Sequence, residues 1–322
     1  MFSYLFIISW WGHAHMMISR IAEDMLTSKQ RSLLNQYVNY GTLPEAVTTY
    51  ASAWQDDLTS LGVKSMSNWH FCNNPFDDEG FSGRHNLNTY NVSSVLNDLN
   101  NTLMDPTTTD PWTLGFVFRS IIHFVGDIHT PHHNTARYAK DFPNGDRGGT
   151  LYYISCPYGS RCNTMHFLWD AAGGDYAITN PLLDINIKAF KSNVSLLKST
   201  MSLKEVESKN FELESFNPSL WSQESFKVGC EHGYSIPIFS FPDESYLETV
   251  QSYSHLRIAT AGYRLGHYLN LALTRENLPT FPSNIAREII VWILDGILLI
   301  GSILLLIYEI FHSNFIKFVR LS

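Results

Sequence analysis

HFVGDIHTPHH, residues His123 to His133, places four histidines and one aspartate in eleven residues. His123 and Asp127 are four apart, so on a helix both side chains leave one face a turn apart. Ile121, Phe124, Val125 and Ile128 supply the apolar spacing of such a helix, and Pro131 ends it and lets His133 turn back. A lone His/Asp pair at this spacing is more often a hydrogen bond than a metal site. A second pair changes that balance: His166 and Asp170 in MHFLWD repeat the geometry on another expected helix. SAWQDDL adds Asp56, NWHF adds His70 and WWGHAH adds His15. Nitrogen with carboxylate oxygen and no thiolate suits zinc in a catalytic site that keeps open positions. Taken singly, His15 reads as an ordinary helix residue, and Asp56 with Asp57 as a helix cap or solvated face. His13, His85, His232, His255, His267 and His312 are read as non-ligands.

The surroundings agree with a folded, helical chain. Its 322 residues are 44% hydrophobic, which provides for a real core. Alternating strand patterns are scarce, and Tyr246 to Leu273 is a long helix candidate, so the expected class is all-α. FPNGDRGGT and CPYGSRC read as loops, and one domain from about residue 10 to 280 is the simplest division. The net charge of −8 argues against a basic surface that grips duplex nucleic acid. A polyanionic substrate would need its positive charge from bound metal.

Both ends carry apolar runs. MFSYLFIIS, residues 1–9, reads as a short signal peptide, and IIVWILDGILLIGSILLLIY, residues 289–308, has the length of a membrane span despite Asp295. A buried core helix is the alternative for the second run. Residues 281–288 would then be a juxtamembrane linker and 309–322 a cytoplasmic tail, since Lys317 and Arg320 follow the positive-inside rule. The expectation is a type I membrane protein of the secretory pathway with its main domain lumenal or extracellular. In that compartment Cys72, Cys156, Cys162 and Cys230 favour disulfides, with three pairings open, and Asn91, Asn100 and Asn193 sit in glycosylation sequons.

The order W-x4-H, W-x-D, W-H, H-x3-D-x5-H, G-D-R-G-G, H-x3-D resembles the S1/P1 nucleases, zinc-dependent helical enzymes distantly similar to bacterial zinc phospholipase C. WSQES before Cys230 and AGYRL around Tyr263 extend the resemblance over most of the chain. It implies three zinc ions: one on Asp56, His70, His123 and Asp127; one on His133, His166 and Asp170; one on His15, a bridging Asp127, and the amino group and carbonyl of Trp10 freed by cleavage after Ser9. It further implies that His129 orients a ligand, while His132 is incidental, that Asp146 orients a ligand or a base, that Arg147 meets a phosphate or a structural ion pair, and that Cys72 pairs with Cys230 and Cys156 with Cys162. Asn73 stands where many relatives carry Asp, near the expected substrate contacts. Thr130, His132 and Thr150 also depart from the usual pattern, and no lysine closely follows Asp56. The implied activity is hydrolysis of RNA, single-stranded DNA and 3′-nucleotides by a monomer. A zinc phospholipase C and a non-catalytic zinc-stabilised surface protein are the rival readings.

Overall fold

Helical spacing in the sequence becomes helices in the computed structural model. In chain order they are α1 (Gly12–Asp24), α2 (Ser28–Asn39), α3 (Thr48–Ala51), α4 (Trp54–Ser60), α5 (Val92–Met104), α6 (Pro111–Ile128), α7 (Pro131–Asn134), α8 (Met165–Asp170), α9 (Ile187–Thr200), α10 (Leu203–Ser208), α11 (Pro218–Val228) and α12 (Glu244–Ala272). Two 3-10 segments, Lys64–His70 and Ala172–Gly174, and a π-helical turn, Gly229–Gly233, complete the helical set among the described residues. Those residues are 11–40, 48–77, 80–81, 85, 89–155, 163–177, 187–279 and scattered positions between 293 and 308. The only strands among them, β1 (Asn74–Phe76) and β2 (Thr135–Arg137), pair in parallel with Asn74 opposite Thr135.

The chain divides into two units, residues 1–279 and 280–322. In the second, no helix among the described residues is long and apolar enough to cross a membrane. Positions 293–294, 296–297 and 300–303 are helical, but most of the run 289–308 lies outside the described residues, so the expected spanning helix is not supported. Residues 1–9, Trp10, the linker 281–288 and the tail 309–322 also lie outside them.

The sequence makes α6 the central element of the first unit. Asp110 caps it by accepting the Thr113 N–H at 2.7 Å, and Pro111 occupies the first turn, where no donor is needed. From Val117 to Ile128 every residue is buried, so the helix is apolar all round except where its polar residues find partners. Helices α2 and α5 flank it, and the 29-residue α12 lies along α1. Gly262 permits that contact: a Cβ there would stand 2.7 Å from Cβ of Ile21. The sequon residues take part in this packing. Asn91 caps α5 through the N–H groups of Ser93 and Ser94, Asn100 accepts from the Tyr268 hydroxyl at 3.0 Å, and Asn193 donates to His13 Nε2 at 3.3 Å.

The expected Cys72–Cys230 disulfide is not formed. Cys72 is a buried thiol beside Ser222 and Ser93, and burial pushes its pKa up. Ser222 precedes Cys230 by eight residues along α11 and its π-helical extension, an axial rise of about 12 Å. A disulfide needs Cα atoms within roughly 7 Å, and Cys72 meets α11 at the level of Ser222, about two turns from Cys230. Cys156 and Cys162 lie outside the described residues.

Gly262→Ala is expected to overpack the α1–α12 contact at a cost of about 1–3 kcal/mol, read as a thermal midpoint lowered by several degrees. A midpoint equal to the parent's would mean that these helices do not meet so closely in solution.

Candidate metal centre

Six elements converge on one buried cluster. α1 brings His15, α4 Asp56, the first 3-10 segment His70, α6 His123 and Asp127, α7 His133, and α8 His166 and Asp170. Their nitrogen and oxygen atoms fall into three groups, each compact enough for one cation: His15, His123 and Asp127; Asp56, His70 and His123; His133, His166 and Asp170. Asp127 links the first two. Its Oδ1 lies 3.3 Å from His15 Nε2, and its Oδ2 lies 2.9 Å from His70 Nδ1 and 3.2 Å from His123 Nε2. Asp56 Oδ1 stands 3.6 Å from His70 Nδ1 and 3.5 Å from His123 Nε2. In the third group His166 Nε2 lies 3.3 Å and His133 Nε2 3.9 Å from Asp170. Asp57, beside Asp56, is exposed.

The outer face of each ring shows what the inner face is for. His123, His133 and His166 donate from Nδ1 to the carbonyls of Ser52, His70 and Gly148 at 2.7, 2.6 and 2.7 Å. Those bonds set the tautomer and turn each Nε2 lone pair into the cluster, the arrangement of metal-ligating histidines. Burial lowers the His133 pKa to about 3, which keeps that ring neutral and able to ligate. Asp170 is fully buried and neither carboxylate oxygen has a hydrogen-bond donor. Burial, then repulsion from Asp56 and Asp127, pushes its pKa well above the ordinary range. An unpaired buried carboxylate is costly, and a cation is the partner this donor set lacks. Burial opposes charge on His123, yet Asp127 and Asp56 hold its pKa at about 9, so these carboxylates attract positive charge. All-nitrogen and oxygen donors in tight groups fit zinc.

The ligand set is buried throughout: Asp56 is 8% exposed, His166 4% and His70 1%, while His15, His123, Asp127, His133 and Asp170 are at 0%.

The GDRGG segment seats His166. Gly148 accepts that ring's N–H, and its φ of +64° with His132 O directly behind leaves no room for a Cβ. Asn73 Oδ1 faces the same glycine, 3.1 Å from where a Cβ would stand. Arg147 is exposed, in the left-handed region at φ 58°. Asp146 is buried outside the three groups and accepts the Arg137 N–H at 2.9 Å. Trp10 lies outside the described residues, but its neighbour Trp11 donates its N–H to Asp170 O at 3.1 Å, which ties the start of α1 to the end of α8.

His129 does not orient a ligand. Its Nδ1 donates to Val125 O at 2.7 Å, and its Nε2 accepts from Arg264 Nη1 at 2.9 Å. It belongs to a buried network in which Arg257 and Arg264 share the carboxylate of Glu224 at 2.6–2.9 Å. Sequence reasoning passed over these three residues, although WSQES contains Glu224 and AGYRL contains Arg264. His132 is packed between Tyr234 and Trp169.

The model of the S1/P1 nuclease family matches residues 10–274. The chain belongs to the S1/P1 nuclease family. No curated protein matches it. Family membership makes the chain a hydrolase of phosphodiester bonds that depends on metal, and the His/Asp groups above are where metal can be held.

Asp146 supplies a pH test away from the metal ligands. Burial, partly opposed by the Gly149 N–H, the Tyr234 hydroxyl and Arg137, pushes its pKa up to about 6. An unfolded aspartate titrates near ~3.9, so the folded chain binds the extra proton between those values and stability falls as pH rises through the window. Asp146→Asn keeps an oxygen for Arg137 and removes the titration. Its thermal midpoint should fall less than the parent's between about pH 4 and 6; parallel profiles would contradict this.

Proposed function

We propose that this S1/P1 nuclease is a zinc-dependent phosphodiesterase and 3′-nucleotidase that hydrolyses RNA, single-stranded DNA and 3′-nucleotides and leaves 5′-phosphate ends. One observation carries the reading: three buried, adjoining His/carboxylate groups, two of them sharing His123 and linked through the two oxygens of Asp127. When bound, zinc there would supply Lewis acidity toward a phosphate oxygen and a water of lowered pKa.

The chain's own residues do the rest. Asp127 fixes the spacing of two groups through its two oxygens, and the Nδ1 bonds of His123, His133 and His166 hold the rings so that no reorganisation is needed during turnover. Asp56 keeps the largest exposure of the ligand set, 8%. The donor set would take His15 with Asp127, Asp56 with His70, His123 and Asp127, and His133 with His166 and Asp170. We take the Trp10 amino group and carbonyl to complete the first, a reading supported by the family match from residue 10 and by the Trp11–Asp170 bond. Asn73, Arg147 and Asp146 remain proposed for substrate contact or orientation, with Arg147 the exposed cation of the three. With a net charge of −8, affinity concentrates on one phosphate at the cluster, and flexible strands present it without a melting cost. The apolar character of residues 1–9 and 289–308 supports a secreted, membrane-anchored chain with its catalytic unit lumenal or extracellular.

Purified protein should cleave RNA and single-stranded DNA faster than duplex DNA, release phosphate from 3′-AMP but little from 5′-AMP, and lose all of these in EDTA. Hydrolysis of phosphatidylcholine without release from 3′-AMP or RNA would transfer the reading to a phospholipase C. No metal-dependent turnover on any of them would leave a binding protein.

Asp127→Asn should lose both metal and activity, by a factor of roughly 100 or more in kcat/KM, because one carboxylate serves two groups. Asp57→Ala, an exposed position beside the site, should stay within a few-fold of the parent. Metal analysis should give about three zinc ions in the parent. Equal losses in the two variants would remove Asp127 from its bridging place.

A further inference from the structure

A stripe of aromatic rings faces solvent at the N-terminal end of α6. Trp112, Phe116 and Arg119 stand at i, i+4 and i+7, so they share one face of the helix. The stripe passes from wet to dry: Trp112 is 55% exposed, Phe116 is partly buried and Arg119 is buried. Its side chains touch in a row. Trp112 stacks on Phe116 with centroids 5.8 Å apart, Phe116 meets Trp54 edge-on at 5.9 Å, and the Arg119 guanidinium lies 4.5 Å over the Trp54 ring. Tyr40, 42% exposed, borders the stripe: its carbonyl accepts from Arg119 Nη1 at 3.4 Å and approaches Gly115, between Trp112 and Phe116. An indole packed on one ring and still more than half in water has an apolar body that the core does not use.

The polypeptide leaves the first unit next to this face. The Tyr37 hydroxyl donates to Pro279 O at 2.6 Å, and the Tyr37 carbonyl abuts Gly115, where a Cβ would stand 2.5 Å from it. Arg275 donates to the carbonyls of Asp105 and Thr108, just before Asp110 caps α6. Residues 275–279 are thus tied twice to the end of α6 that carries Trp112. Ten residue steps separate Pro279 from Ile289, where the apolar run begins, and they span at most about 36 Å. Rings beside Pro279 are therefore held near any bilayer that the run enters.

We propose that Trp112 and Phe116, with Tyr40 beside them, dock the first unit on the headgroup layer of a zwitterionic bilayer, a reading that rests on the membrane anchorage proposed above. Trp and Tyr favour that layer because the ring body is apolar while the N–H or O–H stays hydrated. Charge selects the lipid. Asp105 and Asp110 lie exposed on the approach to α6, while Arg119 and Arg275 are committed to main-chain carbonyls, so an anionic surface gains little from the cations here. A few rings bind a bilayer weakly on their own, but a tether makes the contact intramolecular, and effective concentration supplies the rest.

The test uses the full chain, labelled with fluorotryptophan and reconstituted in phosphatidylcholine nanodiscs, with Trp112→Phe, Trp169→Phe and Trp292→Phe identifying three fluorine resonances. A lipid with a paramagnetic headgroup should broaden the Trp112 resonance beyond detection and leave that of Trp169, which is fully buried, unchanged. A lipid labelled in its acyl chain should broaden Trp292, which lies in the apolar run. Tyr40→Glu keeps the tether but charges the face, so the Trp112 resonance should return while the thermal midpoint stays at the parent's value; Tyr40→Phe, which keeps the ring, should leave it broadened. A Trp112 resonance indifferent to the headgroup label overturns the docking, as does one that a folded Tyr40→Glu leaves broadened, since tethering alone would then account for it. Broadening in phosphatidylserine discs only would overturn it in favour of charge attraction. Trp292 untouched by the acyl-chain label sinks the anchorage and with it the argument for this face, whereas Trp292 broadened beside a sharp Trp112 sinks the docking alone.

Discussion

The carboxylate of Asp127 is fully buried, and three histidines from three separate elements close on it: His15 on Oδ1, His70 and His123 on Oδ2. A carboxylate so far from water is tolerable only where positive charge surrounds it, and here burial is overcome by His123 and by bonds from all three rings, which hold its pKa well below the ordinary range. That requirement dictates much of the fold. α1 must run close to α6 to deliver His15, and α12 must press on α1 through Gly262 to keep it there. The charge cluster and the close helix packing are therefore one constraint seen at two scales.

A second group of ligands depends on backbone geometry outside the long helices. His133 donates to the carbonyl of His70, while the N–H groups of Cys72 and Asn73 return bonds to the carbonyl of His133 at 2.7 and 3.2 Å. The short β1–β2 pairing continues this exchange and locks the two ligand-bearing segments in register. His166 is held in the same way by Gly148. The His123, His133 and His166 rings thus point inward because main-chain carbonyls hold them from outside, and at His166 a glycine stands where that carbonyl must approach with no side chain behind it.

What could be read from the sequence was whatever a helical period determines. His123 with Asp127 and His166 with Asp170 are brought together because positions four apart share a face, and Ile121, Phe124, Val125 and Ile128 are buried for the same reason. Period says nothing about the chain once a helix ends. His129 is one residue past α6 and caps it, so its ring joins Arg264 on the far side of the helix from the ligands. Cys72 and Cys230 illustrate the same limit, because the level at which α11 meets the 72–76 segment is a tertiary fact with no local signature. Asp146, read from its motif as orienting a ligand or a base, is held by the N–H groups of Arg137 and Gly149 and by the Tyr234 hydroxyl, partners that no local spacing announces.

The far side of α6 explains how a metal-bearing helix can end inside the protein. The last carbonyls of any helix lack intrahelical donors, and water is excluded here. Val125 O is taken by the His129 ring, Ile128 O by Ser225 Oγ and Asn134 Nδ2, and His129 O by Arg257 Nε. Two arginines at this end also complement the negative pole of the helix, and Glu224, shared between them, keeps both guanidiniums from being stranded without a counter-charge. Asp127 lies in the final turn, so the same bonds that satisfy the helix end also fix its carboxylate. The ligands face one way and the clamp the other, and the turn from Ile128 to Pro131 joins them: it carries the chain from Asp127 to His133 while Arg257, Ser225 and Asn134 hold it from behind.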